Sequence, residues 1–273
     1  MSKILVPTDF TPAVENALEL ACQMASIGNQ EVVLFHVISS ATDDLLKKKG
    51  KKRDELVTYM NELCLLSDDN HAVKVVSKTS EGGIITNIVD ASAEHGVEWV
   101  MMGTHGTRGI RQSLFGADVL KIAEQAPVPV LTIPDNADTN KGIRKILFPF
   151  GGHEQFQNKI DAVASLASHF EAEVIFYSID RHAAGVSKSV MDRIEEAGEH
   201  YSREGIPNSL KIDEDKSFSV GFAKQTLSFA EENEADVIAV MASDAGSLSF
   251  ISSVDRENLI NNEKGISILL VNE

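Results

Sequence analysis

"KILVP" at Lys3–Pro7 returns as "KILFP" at Lys145–Pro149, a shift of 142 residues within a chain of 273. The same shift, without a gap, carries "EVVLFHV" at 31–37 onto "EVIFYSI" at 173–179. Between these runs it sets Leu18 on Ile160, Ala21 on Val163 and Met24 on Leu166. Later in each repeat the shift becomes 138: "EWVMM" at 98–102 meets "DVIAV" at 236–240, and "VPVLTI" at 128–133 meets "ISILLV" at 266–271. Four registers that hold without internal gaps predict two homologous domains, 1–135 and 143–273. The run "PDNADTNKG" at 134–142, with its Pro, Asn, Asp and Gly, reads as the linker.

Within the first repeat, strands are predicted near 4–6, 32–37, 73–76, 99–102 and 128–133. They are continuous apolar runs rather than alternating ones, the pattern of parallel strands covered on both faces. Between the first two, "TPAVENALELACQMASIGN" reads as a helix. Thr11 is its expected N-cap, Pro12 suits the first helical position, and Ala13, Ala17, Leu20, Ala21 and Met24 form its apolar stripe. Further helices are expected near 43–66, 84–94 and 117–125. The order βαβαβαβαβ predicts an α/β fold in which each domain is a five-stranded doubly wound parallel sheet with helices on both faces. Such sheets bind ligands beyond the carboxyl ends of their strands, where the strand order reverses. That directs attention to the loops after Val6, Val37 and Met102.

The formal net charge of −16 argues against a general nucleic-acid binder and against docking on anionic lipid, since both need a basic face. Cys22 and Cys64 form no CxxC pair, and no His or Cys cluster has metal-ligand spacing; both read as buried thiols of a reduced compartment. The opening "MSKILVPTDF" does not resemble a secretory leader, and no run approaches the roughly 18 apolar residues of a membrane span. A cytoplasmic location is therefore expected.

The loop after the fourth strand, "MGTHGTRGIRQSLFGAD" at 102–118, carries three of the chain's glycines at telling places. Gly103 and Gly106 suit close approach of backbone to a ligand or positive φ. Gly116 precedes a helix N-terminus, whose free N–H groups and dipole favour an anion. His105, Arg108 and Arg111 add donors for phosphate oxygens. Neither the GxxxxGK[ST] loop nor GxGxxG is present.

On these residues the first half resembles a universal stress protein domain of the adenine-nucleotide-binding class. The family pattern G-2x-G-9x-G-[S/T] reads here as Gly103, Gly106, Gly116 and Ala117, and "ILVPTDFT", "LFHV" and "APVPVLTIP" match in type and order. The resemblance implies that Pro7, Thr8 and Asp9 contact base and ribose. It implies that Val37 meets adenine through its backbone and that Met102 lines the pocket. Gly103, Gly106, Gly116 and Ala117 would hold the phosphates, with Arg108 among the binding residues. The implied cofactor is ATP or another adenine nucleotide, in the first domain only, with Mg2+ admitted as its companion. Family members also pair through their fifth strands, so "VPVLTI" and "ISILLV" are expected to meet edge to edge within one chain. A homodimer of whole chains is a further partner left open.

The chain departs from the pattern where the motif ends. Ala117 has no hydroxyl, which removes a hydrogen bond of roughly 0.5–1.5 kcal/mol. Asp118 competes with phosphate for the positive end of the helix. Weak binding is the expectation. In the second repeat Met241, Asp244, Val254 and Asp255 stand where Gly103, Gly106, Gly116 and Ala117 do, and Gly151 stands where Asp9 does. That domain is expected to be a structural partner without nucleotide.

The basic run "KKKGKKR" at 47–53 reads as a solvated helix or loop, with an acidic partner or the nucleotide as its alternative target. His36, Trp99 and Met101 read as core residues. No Ser-His-Asp order, metal cluster or carboxylate pair is visible, so no enzyme is expected. The leading expectation is a cytoplasmic tandem universal stress protein with a regulatory role. A pure interaction protein of the same fold is the alternative, and a slow nucleotide hydrolase ranks last.

Overall fold

Strands that are apolar on both sides must be covered on both sides, and the chain alternates strand and helix accordingly. This computed structural model describes residues 1–104, 116–151, 157–180, 185–214, 221–243 and 251–272. The first half runs β1 (Lys3–Pro7), α1 (Pro12–Gly28), β2 (Glu31–Ile38), α2 (Thr42–Lys48), α3 (Leu56–His71) and β3 (Val75–Glu81). It continues with α4 (Ile84–Ser92), β4 (Val97–Thr104), α5 (Gly116–Gln125) and β5 (Val130–Pro134). The second half runs β6 (Lys145–Pro149), α6 (Gln157–Phe170), β7 (Glu173–Asp180), α7 (Lys188–Arg203) and β8 (Asn208–Glu214). It ends with α8 (Phe222–Glu232), β9 (Val237–Met241), α9 (Ser253–Ile260) and β10 (Ser267–Val271).

These strands form a single ten-stranded sheet in the order β3-β2-β1-β4-β5-β10-β9-β6-β7-β8. Neighbours are parallel within each half, while β5 and β10 run antiparallel at the centre. The registers reproduce the sequence repeat. Lys3 pairs with Glu31 as Lys145 pairs with Glu173, and Val100 pairs with Val130 as Ile238 pairs with Ile268. One apolar core packs α1, α3, α6 and α7 on one face of the sheet, and a second packs α4, α5, α8 and α9 on the other.

The stripe Ala13, Ala17, Leu20, Ala21 and Met24 on α1 is buried throughout. Two expectations need correction. The single helix over 43–66 is broken: α2 ends at Lys48, Gly50 adopts φ +69, and α3 starts afresh at Leu56. In one continuous helix Lys47, Lys48 and Lys49 would lie one turn from Lys51, Lys52 and Arg53, like charges that destabilise it, and glycine takes the left-handed turn without steric cost. The third strand is longer and later than 73–76. It is an edge strand with several exposed positions, so polar residues such as Lys78 and Thr79 belong to it without any apolar run to announce them.

At the centre Thr132 faces Ile268, Leu131 faces Leu269 and Val130 faces Leu270, all fully buried. The Thr132 hydroxyl also donates to the Ile268 carbonyl at 3.2 Å. Truncating Leu269 to Ala should cost roughly 2–5 kcal/mol in urea denaturation, because the sheet around the cavity cannot collapse freely. A loss below about 1 kcal/mol would mean that the ladder lies outside the cooperative core.

Candidate functional site

Beyond Pro7, β1 separates from β2. The Thr8 N–H still donates to the Phe35 carbonyl at 2.8 Å. The Thr8 carbonyl does not return to the ladder; it accepts from Nδ1 of His36 at 2.7 Å. A carbonyl only accepts, so Nδ1 carries the proton. Nε2 then accepts from the Thr42 hydroxyl at 3.1 Å, and Thr42 Oγ1 accepts from the Ser39 N–H at 2.9 Å. His36 is thus the satisfied buried histidine expected. Its ring, packed on Phe10 at 4.7 Å, also joins β1's end to the start of α2. Burial, above all, holds its pKa below the ordinary 6.5; the Thr8 carbonyl and Asp9 oppose that shift, and Arg53 adds to it.

This capture leaves an open backbone edge. Successive strand residues direct their N–H and C=O to opposite sides: Phe35 faces β1, and Ile38 accepts from Gly82 on the β3 side. Val37 therefore faces the space that β1 has vacated, and no hydrogen bond among the described residues reaches it there. Nearby, Oδ1 of Asp9 accepts from the Thr11 N–H at 3.1 Å and from the Thr11 hydroxyl at 2.5 Å. Thr11 sits at the N-cap of α1 as expected, but its hydroxyl is spent on Asp9 and makes no cap bond.

Pro7, Thr8, Asp9, Val37, Met102 and Gly103 come together around a cleft of about 590 Å³, its open mouth included. It lies at the carboxyl ends of β1 and β4, where the strand order turns back, as the fold type requires. Gly116 and Ala117 open α5 and do not line the cleft. Gly106 and Arg108, with His105 and Arg111, lie outside the described residues. Sequence reasoning missed the apolar walls: Val14 from α1, Leu45 from α2, and Ile84 and Ile88 from α4. The i, i+4 pair 84 and 88, at the start of a helix following a strand, was the available signal.

The described glycines of the motif have reasons of their own. Gly103 does not adopt positive φ; a Cβ there would overlap the backbone of Ala13 and Val14, so it admits the first turn of α1 against β4. At Gly116 a Cβ would overlap the side-chain amide of Asn261, the residue capping α9. Asp118 pairs with Lys121 at 3.7 Å. Of the basic run, Lys49, Lys51 and Arg53 pair with Glu15, Glu62 and Asp43.

Residues 1–134 match the family model described as "Universal stress protein family". A universal stress protein of Methanocaldococcus jannaschii is 26% identical over 158 residues, covering 48% of this chain and 93% of that protein. Residues 1–134 are a domain of the universal stress protein family. A second such protein of the same organism is 24% identical over 144 residues, covering 48% of this chain and 81% of its own length. Over the whole chain the structure is similar to a universal stress protein from Archaeoglobus fulgidus, with a TM-score of 0.72, 18% identity, and coverage of 99% of this chain and 98% of that one. At that identity the likeness is one of fold.

The second half differs at the equivalent places. Ser252 and Asp255 form a capping box on α9: Asp255 N–H donates to Ser252 Oγ at 3.1 Å, and Ser252 Oγ donates to Asp255 Oδ2 at 2.8 Å. The helix end equivalent to that of α5 thus carries its own carboxylate. Where Thr8 stands in the first half, Phe150 stacks on Phe148 at 4.6 Å.

Two measurements check this geometry. Gly116→Ala should cost roughly 1–3 kcal/mol through the forced shift of Asn261, and Asn261→Ala should restore most of it in the double variant. Failure of that rescue would detach Gly116 from the contact between halves. For His36 the folded ring holds a proton less readily than the unfolded one. The stability it contributes is therefore complete above 6.5 and is lost as pH falls through the depressed folded value. His36→Asn, which can still donate but does not titrate, should narrow the gap between urea midpoints at about pH 7.5 and about pH 5.5.

Proposed function

We propose that residues 1–135 form a domain that binds an adenine nucleotide, ATP or AMP, and that residues 143–273 form a partner domain that does not. The observation that carries this reading is the open edge of Val37 above an apolar cleft. A backbone N–H and C=O side by side offer one donor and one acceptor to the edge of a flat base, while Val14, Leu45, Ile84, Ile88 and Met102 supply apolar contact for its faces. The Asp9 carboxylate, whose Oδ1 takes both internal bonds, has its other oxygen for a ribose hydroxyl. Gly103, Gly106, Gly116 and Ala117 would follow the phosphates, with Arg108 as a donor. Mg2+ would enter with a triphosphate, whose oxygens would supply much of its coordination; among the described residues no group of three His, Cys, Asp or Glu could hold a metal ion. The protein acts as a non-enzymatic regulator in stress response, with occupancy of the cleft shifting the order of its loops and the partners they meet. Its place is the cytoplasm; no helix among the described residues is long and apolar enough to cross a membrane.

Asp118 favours a second reading, an interaction protein without nucleotide, because its carboxylate occupies the first turn of α5. Denaturing the purified protein and identifying released nucleotide, then titrating ATP and AMP calorimetrically, separates the two. Released adenine nucleotide or a saturating heat supports binding; neither, up to millimolar ATP, leaves the second reading. Ala117→Ser should tighten ATP binding about two- to tenfold by restoring a hydroxyl, and a weaker variant would displace the phosphates from α5.

A further inference from the structure

Resting on the nucleotide reading above, we propose that Thr104 is itself a phosphate ligand, whose hydroxyl supplies the donor that Ala117 lacks. Thr104 ends β4, next to Gly103, and is 7% exposed. Its Oγ1 is buried and has no hydrogen-bond partner, whereas its backbone carbonyl accepts from the Asp135 N–H at 2.9 Å. A buried hydroxyl without a partner is destabilising, and a folded chain seldom keeps one without a use.

The place of the hydroxyl points to its use. Side chains alternate along a strand, so Thr104 shares a face of β4 with Val100 and Met102. Both belong to the core that holds Val119 and Leu120 of α5, and Met102 also lines the cleft. Thr104 is the next step along that row toward the carboxyl end. It therefore stands beyond the apolar wall that suits a base, on the side covered by the helix that Gly116 and Ala117 begin. A hydroxyl there donates to an anionic oxygen, a bond stronger than one between neutral groups. The fold does not need it. The shift of 138 places Ala242 at the equivalent position, fully buried and apolar, in the half that has lost the motif.

Thr104→Val keeps the shape and removes the hydroxyl; Thr104→Ser keeps the hydroxyl. Each is compared with the unaltered protein by calorimetric titration with ATP and with adenosine, and by thermal melting without nucleotide. Thr104→Val should weaken ATP binding about tenfold or more and adenosine binding less than about twofold, while Thr104→Ser stays within about threefold for both. Without nucleotide, Thr104→Val should melt roughly 2–4 °C higher, because the unpartnered hydroxyl is gone. Unchanged ATP affinity in Thr104→Val, or equal losses for ATP and adenosine, would overturn the assignment and leave nucleotide binding intact. A lower melting temperature for Thr104→Val would overturn it too, by showing that the hydroxyl serves the fold. If the unaltered protein binds neither ATP nor adenosine, the nucleotide reading fails and this assignment with it.

Discussion

Leu131 pairs with Leu269 across the central ladder, and the two are equivalent positions of the repeat, 138 residues apart. On either side the pairing is reciprocal: Val130 faces Leu270, and Thr132 faces Ile268. That is the contact pattern of a two-fold axis, here joining two halves of one chain rather than two subunits. Each partner strand is buried on both faces, so either one left unpaired would offer any other chain a row of unbonded N–H and C=O groups flanked by mostly apolar side chains. The antiparallel ladder removes that hazard and fixes the relation of the halves, since a slip of one residue would turn every side chain to the wrong face.

From this axis follows the contact between α5 and α9, the helices that flank it on one face of the sheet. Gly116, the last glycine of the motif, is where the side chain of Asn261 comes closest. The start of α5, where phosphates are proposed to end, is therefore backed by the other half of the molecule. A change in α5 on binding has a direct mechanical partner in α9, reached through one side chain rather than through a chain of residues.

The central strands were legible because parallel strands covered on both faces must be written as unbroken apolar runs, and the repeat supplied a second copy of each. The edge strand β3 was not, because one of its faces meets water and its residues carry no apolar signature. The break between α2 and α3 was hidden by helical periodicity on both sides of Gly50. At the site, Pro7, Thr8, Asp9, Val37, Met102 and Gly103 were found from the loop positions and the resemblance, and they do meet around one cleft. What stayed illegible was three-dimensional: the turn of His36 onto the Thr8 carbonyl, and the pressing of Ala13 against Gly103. The glycine spacing alone suggested room for a ligand. For Gly103 and Gly116 the structure adds a second requirement, room for the protein's own backbone and side chains.

Comparison of the halves separates what the fold needs from what a ligand needs. Ser178 stands where His36 does, and its hydroxyl donates to the Phe150 carbonyl at 3.4 Å as His36 donates to that of Thr8. Capture of that carbonyl thus ends the first ladder in both halves and belongs to the architecture. The groups around it differ. In the second half Phe150 joins Phe148 and Phe176 in an aromatic cluster, and the Lys159 ammonium lies 4.5 Å from the Phe148 ring centroid while donating to the Pro149 carbonyl. There Asp255 caps its own helix and Ala242 is inert. The first half instead keeps the unpartnered hydroxyl of Thr104 at the end of β4, while the unbonded edge of Val37 has its counterpart at Ile179. Polar groups left unbonded at a buried place lower stability unless something arrives to bond them. The hydroxyl of Thr104 in one repeat, beside Ala242 at the same place in the other, is the physical argument for the ligand proposed at the first half's site.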